Sequence, residues 1–152
     1  MHDFVHLHVH TQYSILDGQA SIPRLVDKAI ANGMRGIAVT DHGDMFGIKE
    51  FFNYVNKKNG GTNGEIKDLK KKIAALESGK AESENPEAEL AECREQLEAA
   101  KKKLFKPIIG CEMYVARRRL SNKEGKADQS GYHLVVLAKN LKGYHNLIKL
   151  VS

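Results

Sequence analysis

Residues 5–10 read VHLHVH and residues 36–42 read GIAVTDH, and these two stretches decide the fold. In the first, Val5, Leu7 and Val9 alternate with His6, His8 and His10. A period of two marks a β-strand, whose successive side chains point to opposite faces. The three imidazoles are therefore expected on one face. The second stretch is a short apolar run closed by Thr40-Asp41-His42, the look of a buried parallel strand. Between the two, Ser21 can cap a helix with Pro23 in its first turn. That helix would turn Leu25, Val26, Ala29 and Ile30 inward and stop at Gly33. Strand, helix, strand is the unit of an α/β fold.

Working outward, Asp44 can cap a second helix through about Asn56, with Phe51, Phe52 and Val55 inward. Pro107–Val115 and Tyr132–Ala138 read as two further strands. Asn140 opens a closing helix with Leu141, Tyr144, Leu147, Ile148 and Val151 as its apolar stripe. Strands separated by crossovers imply a parallel sheet or a barrel. The α/β portion thus occupies residues 1–56 and 106–152, and residues 57–105 form a charged insertion. Residues 57–106 hold 12 Lys/Arg against 10 Asp/Glu, with Phe105 their one aromatic. Ile66, Leu69, Ile73 and Leu76 follow helical spacing, as do Leu90, Cys93, Leu97, Ala100 and Leu104. With the polar turn Ser78–Pro86 between them, they predict an antiparallel helical hairpin. Gly60, Gly61 and Gly64 read as a flexible lead-in. The hairpin reads as a solvated insertion in preference to a partner-binding arm.

The whole chain has 152 residues, a net charge of +5 and 41% hydrophobic residues, which suits one domain with a real core. Because opposite charges largely cancel within the insertion, the net charge alone does not point to nucleic acid. No apolar run is long enough to span a membrane, and the amino terminus lacks the apolar core of a signal peptide. Cys93 and Cys111 are too few for a disulfide framework, which suits a reducing cytoplasm.

Chemistry concentrates at the ends of the strands. Sites in parallel α/β folds lie beyond the carboxyl ends of their strands, where His8 and His10 fall. His6 is expected one layer deeper, as a packed or hydrogen-bonded interior histidine, and His2 at a frayed terminus with no role. Two imidazoles on one face can grip one ion or bridge two. Asp17 follows in the loop SILDG. Asp41 and His42 end the second strand at the same mouth; Asp41 reads as a residue that orients a ligand from behind, or caps a turn. Glu112 interrupts an apolar strand, where a carboxylate is costly unless paired or bound to metal. His133 opens the last strand, at the end where spacing alone would not mark a site. Arg117-Arg118-Arg119 offers phosphate contacts but reads more simply as a solvated loop, and His145 as incidental.

The segments HLHVHTQYSILDG (6–18), GIAVTDHGDMFG (36–47), PIIGCEMYV (107–115) and HLVVLAKNLKGYHNLIKLVS (133–152) resemble the PHP (polymerase and histidinol phosphatase) superfamily. Within it they resemble the amino-terminal PHP domains of bacterial DNA polymerase III alpha subunits. The resemblance implies metal ligands at His8, His10, Asp17, His42, Glu112 and His133. It implies a distorted seven-stranded β/α barrel, TIM-like, of which this chain would supply the first half as a fragment. The family's remaining ligands (another His or Cys and a late Asp-x-His pair) and the polymerase's palm carboxylates have no counterpart here. Clustered divalent ions, zinc or manganese by donor type, would serve phosphoester hydrolysis. In the parent that means 3′–5′ exonuclease proofreading beside DNA-directed DNA synthesis, with DNA and other replisome subunits as partners and self-association of an incomplete barrel. A free-standing phosphoesterase of the histidinol-phosphatase type and a non-catalytic scaffold are the alternatives.

Overall fold

The structure, a computed structural model, describes residues 4–81, 84–119, 121–128 and 131–152. His2 lies outside the described residues, as do Glu82 and Ser83 of the polar turn. The chain divides into two compact units, residues 1–55 with 106–152, and residues 56–105.

The first unit is mixed α/β. Helix α1 spans Ile22–Ala31 and buries Ile22, Val26 and Ala29. Ser21 stands at its N-cap position, though its side chain makes no capping bond. Strand β1, Gly36–Val39, is buried along its whole length. Helix α2, Ile48–Lys58, buries Ile48, Phe51 and Val55. It begins three residues later than expected, because Asp44 spends its carboxylate on a turn, accepting from the Phe46 N–H at 3.1 Å. Phe52, expected inward, is exposed: Phe51 and Val55 already fill the inward face, and Phe52 is rotated off it. Strands β2, Lys106–Val115, and β3, Tyr132–Leu137, complete the sheet in the order β1-β2-β3. Helix α5, Leu141–Val151, closes the unit; the Asn140 side chain caps it by accepting from the Gly143 N–H. Of its expected stripe Leu147 is buried, while Leu141 is largely exposed.

The sheet is not parallel throughout. β1 and β2 run parallel, with Gly36 opposite Lys106 and Val39 opposite Ile109, whereas β2 and β3 are antiparallel, with Gly110 opposite Leu137 and Val115 opposite Tyr132. The connection explains this. A parallel return needs a crossover, usually a helix. The described part of the β2–β3 connection holds only a short 3-10 turn, Gly125–Asp128, so β3 folds straight back.

The amino-terminal segment also departs from the expectation. It runs beside β1 without forming a regular strand: the Ala38 N–H donates to His6 O and the Thr40 N–H to Val9 O, both at 2.9 Å. The two-residue step from Ala38 to Thr40 thus runs against a three-residue step from His6 to Val9. One extra residue, as in a bulge, breaks the period of two. His6 therefore falls out of line: it is exposed, its ring edge-on to Phe4 at 4.7 Å, and it is no interior histidine.

The second unit consists of two helices, α3 (Gly60–Glu77) and α4 (Pro86–Lys103). Leu76, Cys93, Ala100 and Phe105 are buried, and Ile66, Leu69, Ile73, Leu90, Leu97 and Leu104 are half-buried. Lys72–Glu89, Arg94–Glu77 and Lys103–Glu65 pair across the hairpin at 2.6, 2.8 and 3.7 Å. Gly60, Gly61 and Gly64 lie within α3, not in a flexible lead-in; glycine weakens a helix without forbidding one. The Asn59 side chain clasps both backbone groups of Phe105, donating to its carbonyl at 2.8 Å and accepting from its N–H at 3.0 Å.

Candidate metal centre

The six expected ligand residues, His8, His10, Asp17, His42, Glu112 and His133, lie in the first unit and meet at one end of its sheet. Past β1, the chain keeps pairing with β2: the Glu112 N–H donates to Asp41 O at 3.1 Å and the Gly43 N–H to Glu112 O at 2.8 Å. This carries His42 alongside Glu112. On the other side, antiparallel β3 starts where β2 ends, so His133, at the beginning of its strand, reaches the same mouth. The reversal of β3 is why a residue at the unexpected end of its strand is there at all.

Glu112 is the hub. Its side chain is nearly buried, and Oε2 lies 2.7 Å from His8 Nε2 and 2.6 Å from His10 Nε2. Those two nitrogens are 3.1 Å apart. Its other oxygen, Oε1, lies 2.7 Å from His133 Nδ1. Asp17 is the second anchor, with Oδ1 3.1 Å from His10 Nδ1 and Oδ2 2.9 Å from His42 Nδ1. Two donor groups emerge, His8–His10–Glu112 and His42–Glu112–His133, each with its ligand atoms within 4.8 Å of one another.

Both carboxylates are ionised across the neutral range. Burial alone would raise the pKa of Glu112, but hydrogen bonds from His8, His133 and His10 outweigh it and hold the carboxyl at about 2. Asp17 is also lowered to about 2, first by the hydrogen bond from Ser14 and then by that from His42. Asp41 stands apart from the cluster. Buried, it accepts from the Thr11 N–H at 2.6 Å and from the Thr11 hydroxyl at 2.8 Å, and burial pushes its carboxyl up despite those bonds. It thereby fixes the backbone immediately after His10.

Ser14 and Tyr114 also belong to the site, and the sequence reading missed both. The buried Ser14 hydroxyl donates to Asp17 Oδ1 and accepts from the His42 N–H at 3.1 Å. The loop that brings Ser14 and Asp17 here is tight enough that a Cβ on Gly18 would collide with Thr11 O. Tyr114 packs against His42 and His133. Its place two residues after Glu112, on the same face of β2, was the available signal. Arg117 lies over the Tyr132 ring and Arg118 pairs with Glu124, while His145 sits on exposed α5 surface; none touches the cluster.

The donor set suits a divalent ion. His42 Nε2 is buried and has no hydrogen-bond partner among the described residues, while its Nδ1 is tied to Asp17. A buried polar atom left so is costly unless something binds it. Three more imidazoles and two anionic carboxylates surround it, a mixed nitrogen and oxygen set of the kind that binds zinc or other transition ions.

The PHP domain model matches residues 6–152 of this sequence. The chain belongs to the PHP family. The relatives it resembles include proteins named DNA polymerase III subunit alpha from Treponema pallidum (37% identical over 150 residues) and Borreliella burgdorferi (34% over 150 residues). Another of that name, from Thermus aquaticus, is 34% identical over 153 residues. Each alignment covers 98% of this chain and 9% of the relative, so this PHP chain spans about a tenth of the length of the relatives it matches. Among the described residues, no helix is long and apolar enough to cross a membrane.

Proposed function

We propose that this PHP chain is the amino-terminal portion of a replicative DNA polymerase alpha subunit. In this reading its cluster is a metal centre for phosphoester hydrolysis, with His8, His10, Asp17, His42, Glu112 and His133 as ligands and zinc or manganese as the ions. The observation that carries it is the convergence on Glu112: one nearly buried carboxylate within hydrogen-bond distance of three imidazoles drawn from two segments far apart in the sequence. Where hydrophobic burial alone is at stake, such a group has no place. The relatives named above, aligned over nearly the whole chain, support the polymerase over a free-standing phosphatase.

When bound, divalent ions supply Lewis acidity toward a phosphate and a nucleophilic water near neutral pH. The chain's own residues prepare that site. Glu112 and Asp17 stay anionic, so they would offset the positive charge of a bound ion. Asp17 holds His42 by Nδ1 and so directs the bare Nε2 inward. Ser14 fixes Asp17, and Asp41 fixes the turn after His10 through Thr11. The substrate proposed is a DNA 3′ end, and the residues 56–105 hairpin is read as an insertion outside the chemistry.

The test is Mn²⁺- or Zn²⁺-dependent release of the 3′ nucleotide from single-stranded DNA by the complete polymerase subunit, with and without His10→Ala. Loss of 3′ release with retained DNA synthesis is the expected result. The 152-residue chain alone should hydrolyse far less, since the late Asp-x-His pair implied by the family has no counterpart in it. Unchanged 3′ release in the variant would refute the assignment.

A further inference from the structure

Tyr114 has a role that core packing does not explain. It is 61% exposed, so its removal would leave little void. Yet its ring stacks on His42, with centroids 4.7 Å apart and planes inclined by 27°. It also meets His133 edge-on, at 5.0 Å and 80°, and those two imidazoles are themselves 4.6 Å apart. Gly43 lies against the ring: a Cβ there would meet Tyr114 Cε2 at 3.4 Å, ordinary contact, and the glycine is explained by its φ of +72°, which residues with a side chain rarely adopt. Among the described residues, the aromatic-ring contacts of His8 and His10 are with each other and, for His10, with His42.

We infer that Tyr114 is a positioning residue for one half of the centre, the group formed by His42, Glu112 and His133, and that the His8–His10–Glu112 half does not need it. The inference rests on reading the cluster as a metal centre. The physical reason is rotational. His42 is tethered at Nδ1 and His133 at Nδ1, each by one carboxylate oxygen, and one hydrogen bond leaves a ring free to tilt. A flat aromatic surface against one ring and an edge against the other set both planes at once, in the offset and edge-to-face arrangements aromatic rings favour. The buried Nε2 of His42, which has no hydrogen bond of its own among the described residues, then keeps its orientation.

Two measurements on the 152-residue chain test this. The first is ¹⁵N-edited NMR of the histidine rings in metal-free protein. In Tyr114→Ala the ring signals of His42 and His133 should shift while those of His8 and His10 hold, and Tyr114→Phe should restore them. The second is calorimetric titration with Zn²⁺ in two backgrounds. In His8→Ala, which leaves the His42–Glu112–His133 group, adding Tyr114→Ala should weaken Zn²⁺ about 10-fold, the usual scale for residues that orient ligands, and Tyr114→Phe should not. In His133→Ala, which leaves the other group, adding Tyr114→Ala should change affinity less than about 2-fold. Unmoved His42 and His133 signals, or equal losses in both backgrounds, would overturn the inference. A chain that takes up no Zn²⁺ in any form defeats the metal-centre reading instead, and the metal-free spectra then decide the role of Tyr114 alone.

Discussion

Replacing Glu112 by Gln removes the hub charge and keeps its shape. The folded carboxyl sits at about 2 against an ordinary 4.5. At about 1.4 kcal/mol per unit, that shift corresponds to about 3 kcal/mol of stability at neutral pH. For a chain of this size, such a loss lowers the melting temperature by roughly 6–12 °C. The sign follows from the depressed value. The carboxylate stabilises the fold above its unfolded pKa, and the contribution fades as pH falls from about 4.5 to about 2. Metal-free wild type should therefore melt well above Glu112→Gln at pH 7, and the two should converge near pH 2. Asp17 titrates through the same window but is common to both proteins, so it does not open the gap between them. Differential scanning calorimetry in a chelator, from pH 2 to 7, makes the measurement. Equal melting at pH 7, or a gap that persists unchanged at pH 2, would refute the reasoning.

Replacing residues 56–105 by a short Gly-Ser linker should leave the first unit folded, with its histidine ring signals largely unchanged by NMR; a chain that unfolds throughout would show the hairpin to be part of the core. β3 is an edge strand whose outer side has no strand partner among the described residues, and Tyr132 and Leu134 are exposed on it. Concentration-dependent self-association is therefore expected by sedimentation, and Leu134→Lys should reduce it by charging the edge. If that variant associates as strongly as wild type, edge pairing is not the cause.

The convergence of His8, His10, His42 and Glu112 was legible because each rests on a local rule, whereas Asp17, in a loop, was a ligand only through the family resemblance. Parity aligned His8 with His10, the end of an apolar run located His42, and a charge in an apolar strand marked Glu112. His6 failed the same parity argument because one extra residue against β1 shifts the register, and a hydrogen-bond count cannot be read from side-chain alternation. His133 entered through family resemblance alone. Its position made no sense for a parallel strand, and strand direction depends on a connection whose path the sequence does not reveal. Phe52 and the Gly60–Gly64 stretch show the same limit of local pattern. Adjacent aromatics do not say which one faces in, and glycine permits a break that the chain here does not take. Ser14 and Tyr114 were passed over for a different reason. Their roles lie in what they touch across the fold, and a serine in a loop or a tyrosine in a strand has an ordinary explanation.

The most direct test of the metal centre is anomalous diffraction from crystals of this chain soaked in Zn²⁺, recorded on both sides of the zinc edge. The expected result is a peak about 2.0–2.2 Å from donor atoms of His8, His10 and Glu112, or of His42, Glu112 and His133. A map with no peak at the cluster, in crystals that show zinc bound elsewhere on the chain, would contradict the assignment.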